Sequence, residues 1–218
     1  MRSITFVRHG QSTANLGAVS APHPDIPLSL LGQAQAQLLA SSLPTQPALV
    51  LASPYIRAQD TAQPYCQQWG LAAQLEPLLH EMDAIAYECI AGMEGEQRMA
   101  VAAKYWEAAD PDLRTGTQAE TYAEFGRRVQ QFRSQNLPQL PDRSVVFGHG
   151  LWMAMLCWQL SGFAWEGREG MQAFKRFQMG WPMPNGASYR VQGDGQMPWA
   201  VQIDRQVMQA LGALSASL

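Results

Sequence analysis

Three short apolar runs, each stopped by a small polar or charged cluster, constrain this chain more than any other feature. Ile4-Thr5-Phe6-Val7 runs into Arg8-His9-Gly10, Ala48 to Ala52 into Ser53-Pro54, and Ser144 to Phe147 into Gly148-His149-Gly150. Short runs of this composition read as strands buried on both faces, the habit of a parallel sheet. Helical patterns follow them. Ser29 stands at an N-cap position ahead of Leu31, Ala34, Leu38 and Leu39, a pattern that Ser41 and Pro44 stop. Ser53-Pro54 reads as an N-cap and N1 pair opening a second helix with Arg57 in its first turn; Pro64 should bend or end that helix, and Gly70 should stop any continuation. The order strand, helix, strand, helix predicts an α/β fold: a three-layer sandwich whose central sheet is mostly parallel, with helices on both faces.

The remaining patterns fill in one domain over residues 1–218. A short strand is expected around Ala72 to Leu75. From Glu76 to Asn136 the strand signal disappears, and Glu94 to Ala109 and Gln118 to Asn136 read as helices, a helical insertion over the carboxyl edge of the sheet. Leu151 to Leu160 is an apolar helix whose Trp152, Met153, Met155 and Trp158 read as core. Met171 to Gln178 is helical, Trp181 to Gly186 a loop in which Trp181 and Met183 could reach a substrate, and Ala187 to Val191 and Val201 to Ile203 are expected edge strands. The last dozen residues carry no clear pattern.

A net charge of -3 with no basic block argues against nucleic acid or an anionic membrane as the main partner. A small anionic substrate held by a few arginines fits, with room for a homodimer. No segment is apolar enough to cross a bilayer, and the opening run is too short for a secretory leader. Cys66, Cys89 and Cys157 lack metal-ligand spacing and cannot all pair, so free thiols in a reducing, cytoplasmic setting are expected.

Loops that follow parallel strands share the carboxyl edge, so Arg8, His9, Arg57 and His149 can meet despite their separation in sequence. Two guanidinium forks suit the oxygens of a phosphoryl group. They would also hold an imidazole neutral and therefore nucleophilic, and they would repel a metal cation. A carboxylic acid must protonate the leaving oxygen. Glu81 is the candidate, with Glu76, Asp83 and Glu88 as rivals. His80 reads as a loop or supporting residue, and His23 as an exposed loop residue that could gate the pocket.

These residues resemble the histidine phosphatase, or phosphoglycerate mutase-like, superfamily. Arg8-His9-Gly10-Gln11-Ser12 with Asn15 resembles its opening signature, Asp25 to Ala36 its first-helix pattern, and Ser53-Pro54 with Arg57, Ala58, Gln59, Thr61 and Ala62 its second-arginine segment. Leu79-His80-Glu81 resembles its acid motif, Gly116 to Arg128 a Gly-x-x-Glu helix segment, Gly148-His149-Gly150 its second histidine, and Pro184-Asn185-Gly186 a late turn. The resemblance implies a metal-independent, cofactor-free phosphomonoesterase acting on a small phosphorylated metabolite. His9 would become the phosphohistidine. Arg8, Arg57 and His149 would hold the phosphoryl group, Glu81 would donate the proton, and Asn15, Gln11, Ser12 and Gly150 would line the site. Gln11 replaces a common Glu, and Met82-Asp83-Ala84-Ile85 stands where Gly-x-Trp-Glu-Gly often follows the acid motif. A mutase, or a catalytically silent phospho-ligand binder on the same fold, are the alternatives.

Overall fold

Side-chain alternation along the buried strands sorts the core into two layers. The computed structural model describes residues 1–43, 45–194 and 198–216. Its strands are β1 (Arg2–Arg8), β2 (Leu49–Ala52), β3 (Gln74–Leu75), β4 (Ser144–Gly148), β5 (Ser188–Gly193) and β6 (Ala200–Ile203), in the sheet order β3-β2-β4-β1-β5-β6. The first four pair in parallel, and β5 runs antiparallel to both β1 and β6. The helices are α1 (Leu30–Ser42), α2 (Ile56–Trp69), α3 (Tyr87–Ile90), α4 (Gly95–Ala108), α5 (Tyr122–Gln131), α6 (Gly150–Leu160), α7 (Gly167–Gly180) and α8 (Arg205–Ala216). None of the described helices is long and apolar enough to cross a membrane.

Val7, Val50, Ala52, Val145 and Phe147 face one way and pack with Leu39 of α1, Tyr65 of α2, and Val207 and Leu211 of α8. Ile4, Phe6, Leu51 and Val146 face the other way, onto Phe125 of α5, Trp152 of α6 and Phe174 of α7. This is the period-two consequence of a pleated strand, and it gives the expected sandwich of three layers. The insertion shares this core: Phe132, just after α5, meets the Trp152 ring edge-on at 5.1 Å, and Trp152 stacks on Phe6 at 6.1 Å. Register completes the positioning. Arg8 pairs with Gly148, and Phe147 lies between Val7 and Ala52, so three strands end level with one another.

Several elements differ from the sequence expectation. Ser29 caps α1 as read, accepting the Gly32 N–H at 3.1 Å; Pro44, its expected stop, lies outside the described residues. Ser53-Pro54 does not open α2. The helix starts at Ile56, because Ser53 Oγ turns back to the Tyr55 N–H at 3.3 Å and to His149. Nor does Pro64 end it: Ala62, Tyr65 and Cys66 pack on the sheet and carry the helix past the missing N–H, until Gly70 closes it at φ 63. Although expected at an edge, β5 is interior, since β6 covers its outer side. The unread tail is α8, started by Asp204, whose Oδ1 accepts the Val207 N–H at 3.3 Å.

Candidate active site

The level strand ends bring Arg8, His9, Arg57 and His149 together, as their sequence positions predict. His9 and His149 are buried, at 4% and 0% exposure, and their rings meet edge-on at 5.2 Å. Arg57 Nε, which can only donate, lies 3.3 Å from His9 Nε2; the Gly10 carbonyl, which can only accept, lies 2.6 Å from His9 Nδ1. Together these partners assign the ring proton to Nδ1 and leave a lone pair on Nε2. The His9 pKa is held well below its ordinary 6.5, first by burial and then by Arg57 and Arg8; His149 is lowered likewise, by burial and then Arg57.

Small residues let these groups approach. A Cβ on Gly10 would stand 2.5 Å from the Gly32 carbonyl oxygen, so the loop after His9 lies directly on α1. Gly150 leaves space for Arg8, whose Nε would be 3.2 Å from a Cβ there. Arg8 donates to the Met183 carbonyl and Arg57 to the His23 carbonyl at 2.7 Å, which aims both forks from outside the cluster. Two buried atoms in the cluster, Arg8 Nε and His149 Nδ1, have no hydrogen-bond partner. Such orphaned buried groups mark a place where a ligand can supply the missing contacts.

Among the four candidate carboxylates, geometry favours Glu81. Its oxygens accept the N–H groups of Leu151 and Trp152 at the start of α6, both at 3.1 Å, beside His149. Burial lowers the pKa of Arg8 and of Arg57, and Glu81 is the largest opposing influence on both. The rivals are committed elsewhere. Glu76 accepts from the Leu78 N–H and Asn136 Nδ2, each at 2.9 Å, and Glu88 from Thr117 at 2.8 Å. Asp83 takes the Tyr55 hydroxyl on one oxygen and faces His23 Nδ1 at 3.8 Å with the other. His23 is therefore half-buried and tethered, with Nε2 on the Ile85 carbonyl at 2.9 Å, and not the exposed loop residue expected. His80 bonds the Glu81 carbonyl at 2.9 Å, a supporting contact.

Of the remaining predicted residues, Asn15 is best placed for a ligand. Its Oδ1 accepts from the Ser12 N–H at 3.0 Å, Ser12 Oγ at 2.9 Å and Asn185 Nδ2 at 3.1 Å, which leaves the exposed Nδ2 as a donor. Ser12 thus acts on Asn15. The Gln11 side chain accepts from Ser29 Oγ at 2.8 Å and ties the loop to the α1 cap. Trp181 stacks on Tyr189 at 5.5 Å, a packing role.

The structure adds residues that sequence reading did not assign. Ser53 Oγ lies 2.7 Å from His149 Nε2. Tyr55 presents its ring edge-on to His149 at 5.2 Å and lies 4.9 Å under the Arg57 guanidinium. Asn185 Nδ2 reaches the His9 and Gly10 carbonyls at 3.4 and 3.3 Å. Arg128 grips Glu120 with two bonds of 2.7 and 2.6 Å and donates to the Leu78 and His80 carbonyls at 2.7 and 2.8 Å, fixing the loop that carries Glu81. Ser53, Asn185 and Arg128 carry a signal, as members of the resembling segments; Tyr55 carries none. Among the described residues no three or more His, Cys, Asp or Glu side chains cluster as a metal site.

A stretch of 88 residues is 39% identical to a PE-PGRS family protein of Mycobacterium tuberculosis, and 81 residues are 36% identical to the glucosyl-3-phosphoglycerate phosphatase of the same organism. These matches cover 39% and 37% of this chain, and only 15% and 36% of the respective relatives. Two solved structures share the fold over nearly the whole length. The native mycobacterial glucosyl-3-phosphoglycerate phosphatase superposes with a TM-score of 0.69 at 24% identity, covering 93% of this chain and 97% of that one. A protein described as a putative alpha-ribazole-5'-P phosphatase from Escherichia coli gives 0.72 at 23% identity, covering 93% and 95%. The family model of the histidine phosphatase superfamily (branch 1) matches residues 4–199, which includes the carboxyl ends of β1, β2 and β4. The chain belongs to the histidine phosphatase superfamily.

Proposed function

We propose that this protein is a metal-independent phosphomonoesterase that works through a phosphohistidine on His9 and acts on a small phosphorylated metabolite. The observation that carries the reading is the Nε2 lone pair of a buried, neutral His9 set against two arginine forks. Family membership and the phosphatase named among the relatives support the same reaction class.

The residues divide the work as follows. Nε2 of His9 attacks phosphorus, and the bond from phosphorus to the ester oxygen breaks as the P–N bond forms. Arg8, Arg57 and His149 stabilise the charge on the transferring group. Glu81, in its protonated form, gives its proton to the departing oxygen. The phosphorylated ring becomes cationic through its Nδ1–H, which the Gly10 carbonyl at 2.6 Å is placed to accept. Water then attacks the same phosphorus, Glu81 takes up a water proton, the P–N bond breaks and inorganic phosphate leaves. A reducing, cytoplasmic setting accords with three free cysteines.

The test is turnover of para-nitrophenyl phosphate in excess chelator, with His9→Ala beside the wild type. Turnover that survives the chelator and falls by more than about 10⁴-fold in the variant is expected. Equal turnover in the two proteins would sink the reading.

A further inference from the structure

We propose that Tyr55 is a positioning residue for the phosphoryl site, one whose ring sets the tilt of the Arg57 guanidinium and the orientation of the His149 ring. This rests on the phosphatase reading and deepens it. Tyr55 is buried, at 6% exposure, yet it belongs to neither apolar core layer. Its ring lies instead among polar groups: 4.9 Å from the Arg57 guanidinium carbon, edge-on to His149 at 5.2 Å, and 5.9 Å from the His80 ring. Two of these three neighbours are groups that the proposed chemistry uses.

A guanidinium is planar, and its hydrogen bonds run along the edges of that plane. Arg57 reaches His9 Nε2 through Nε at 3.3 Å and the His23 carbonyl through Nη1 at 2.7 Å, contacts that fix two edges but let the plane tilt about the line between them. The Tyr55 ring stops that tilt. His149 has a side-chain hydrogen bond between Nε2 and Ser53 Oγ at 2.7 Å, and its Nδ1 has no partner, so the imidazole can turn about that bond unless a neighbour blocks it. The Tyr55 and His9 rings, each at 5.2 Å, block it. Tyr55 is itself pinned at both ends. Its carbonyl accepts the Ala58 N–H at 3.0 Å at the start of α2, and its hydroxyl donates to Asp83. Burial, and then Asp83, hold the phenol far above its ordinary pKa, so it stays a donor. Asp83 is fixed in turn by the Glu120 N–H on its carbonyl at 2.9 Å.

Tyr55→Phe removes the hydroxyl and keeps the ring; Tyr55→Leu removes both, and Tyr55→Met takes its place if that protein does not fold. Para-nitrophenyl phosphate and phenyl phosphate, with a good and a poor leaving group, are the substrates, and orthovanadate is the inhibitor. Tyr55→Phe is expected to stay within about threefold of the wild type in kcat/KM for para-nitrophenyl phosphate and to keep its vanadate inhibition. The further step to Tyr55→Leu should cost at least about fivefold, equally for the two esters, and should weaken vanadate by a similar factor. On an Arg57→Lys background the same step should cost at most about twofold, because the group being positioned is already gone. A packing role alone would leave the loss undiminished there. Four results would each overturn the inference: a smaller loss on removing the ring, a loss confined to phenyl phosphate with vanadate inhibition intact, a larger loss on the Arg57→Lys background, or a Tyr55→Phe protein that has lost vanadate inhibition. A wild type that turns over neither ester would instead remove the phosphatase reading on which it stands.

Discussion

The ends of β1, β2 and β4 and the loop from Leu78 to Ile85 meet at the same cluster of residues but are held in different ways. At the strand ends the backbone is part of the sheet ladder, and His9 N–H donates to the Gly148 carbonyl at 2.9 Å while Ser53 N–H donates to that of Phe147 at 2.9 Å. The acid loop has, in place of a ladder, one isolated bridge from Ile85 to Thr115 and a bond from the Glu120 N–H to the Asp83 carbonyl at 2.9 Å. It is held by side chains reaching in from elsewhere: Arg128 on its carbonyls, Trp152 Nε1 on the Leu78 carbonyl at 2.7 Å, and Tyr55 on Asp83. Rigid strand ends therefore fix Arg8, His9 and His149, and an interlocked loop fixes Glu81; under the proposed function these are the phosphoryl-binding groups and the proton donor. Damage to the first should cost chemistry outright, whereas damage to the second should cost proton delivery while phosphoryl binding survives.

Arg57→Lys probes the first region most sharply. A lysine keeps the charge but loses the fork that touches His9 and the His23 carbonyl, so kcat/KM should fall about 100-fold and inorganic phosphate should inhibit less well. A loss confined to kcat, with phosphate inhibition intact, would break the proposed division of labour.

The buried imidazoles give a second, smaller effect. Both pKa values lie well below 6.5 in the folded protein, so on acidification the unfolded chain takes up protons that the folded chain refuses. Stability should be level above about pH 6.5 and fall below it, by up to about 1.4 kcal/mol per pH unit for each histidine until the folded values are reached. Denaturant unfolding from pH 7 to 5 checks the sign, and His149→Gln should remove its share of the slope. A slope of the opposite sign would mean that His9 and His149 are charged in the fold.

Arg128→Lys probes the loop and should have the mildest effect, roughly fivefold in kcat for esters with poor leaving groups. Phosphate inhibition should stay at the wild-type level. Equal losses for good and poor leaving groups would show that Arg128 supports the whole pocket and not the acid alone.

Sequence legibility follows the same contrast. Arg8, His9 and His149 could be read because each directly follows a short apolar strand, a signal contained within a few residues. Glu81 could be named but not separated from Asp83, because what distinguishes them is their contacts with Leu151, Trp152 and Tyr55, distant in sequence. Tyr55 itself carries no local mark of its position beneath Arg57. Misread boundaries have local causes too: Ser53 has the residue type of a cap but serves His149, and α2 outlasts Pro64 because its neighbours are anchored in the core. The α8 helix carries little signal because only its Val207 and Leu211 are buried, too sparse a stripe to stand out.

If the His9 Nε2 lone pair takes the phosphoryl group, that group is to be found on His9 during turnover. Rapid acid-free quenching with a radiolabelled phosphomonoester, followed by peptide mapping, tests it directly. Label is expected on the peptide carrying His9, stable in base and lost in acid, and absent from His9→Ala. Steady turnover with no label on His9, or label retained in His9→Ala, would contradict it.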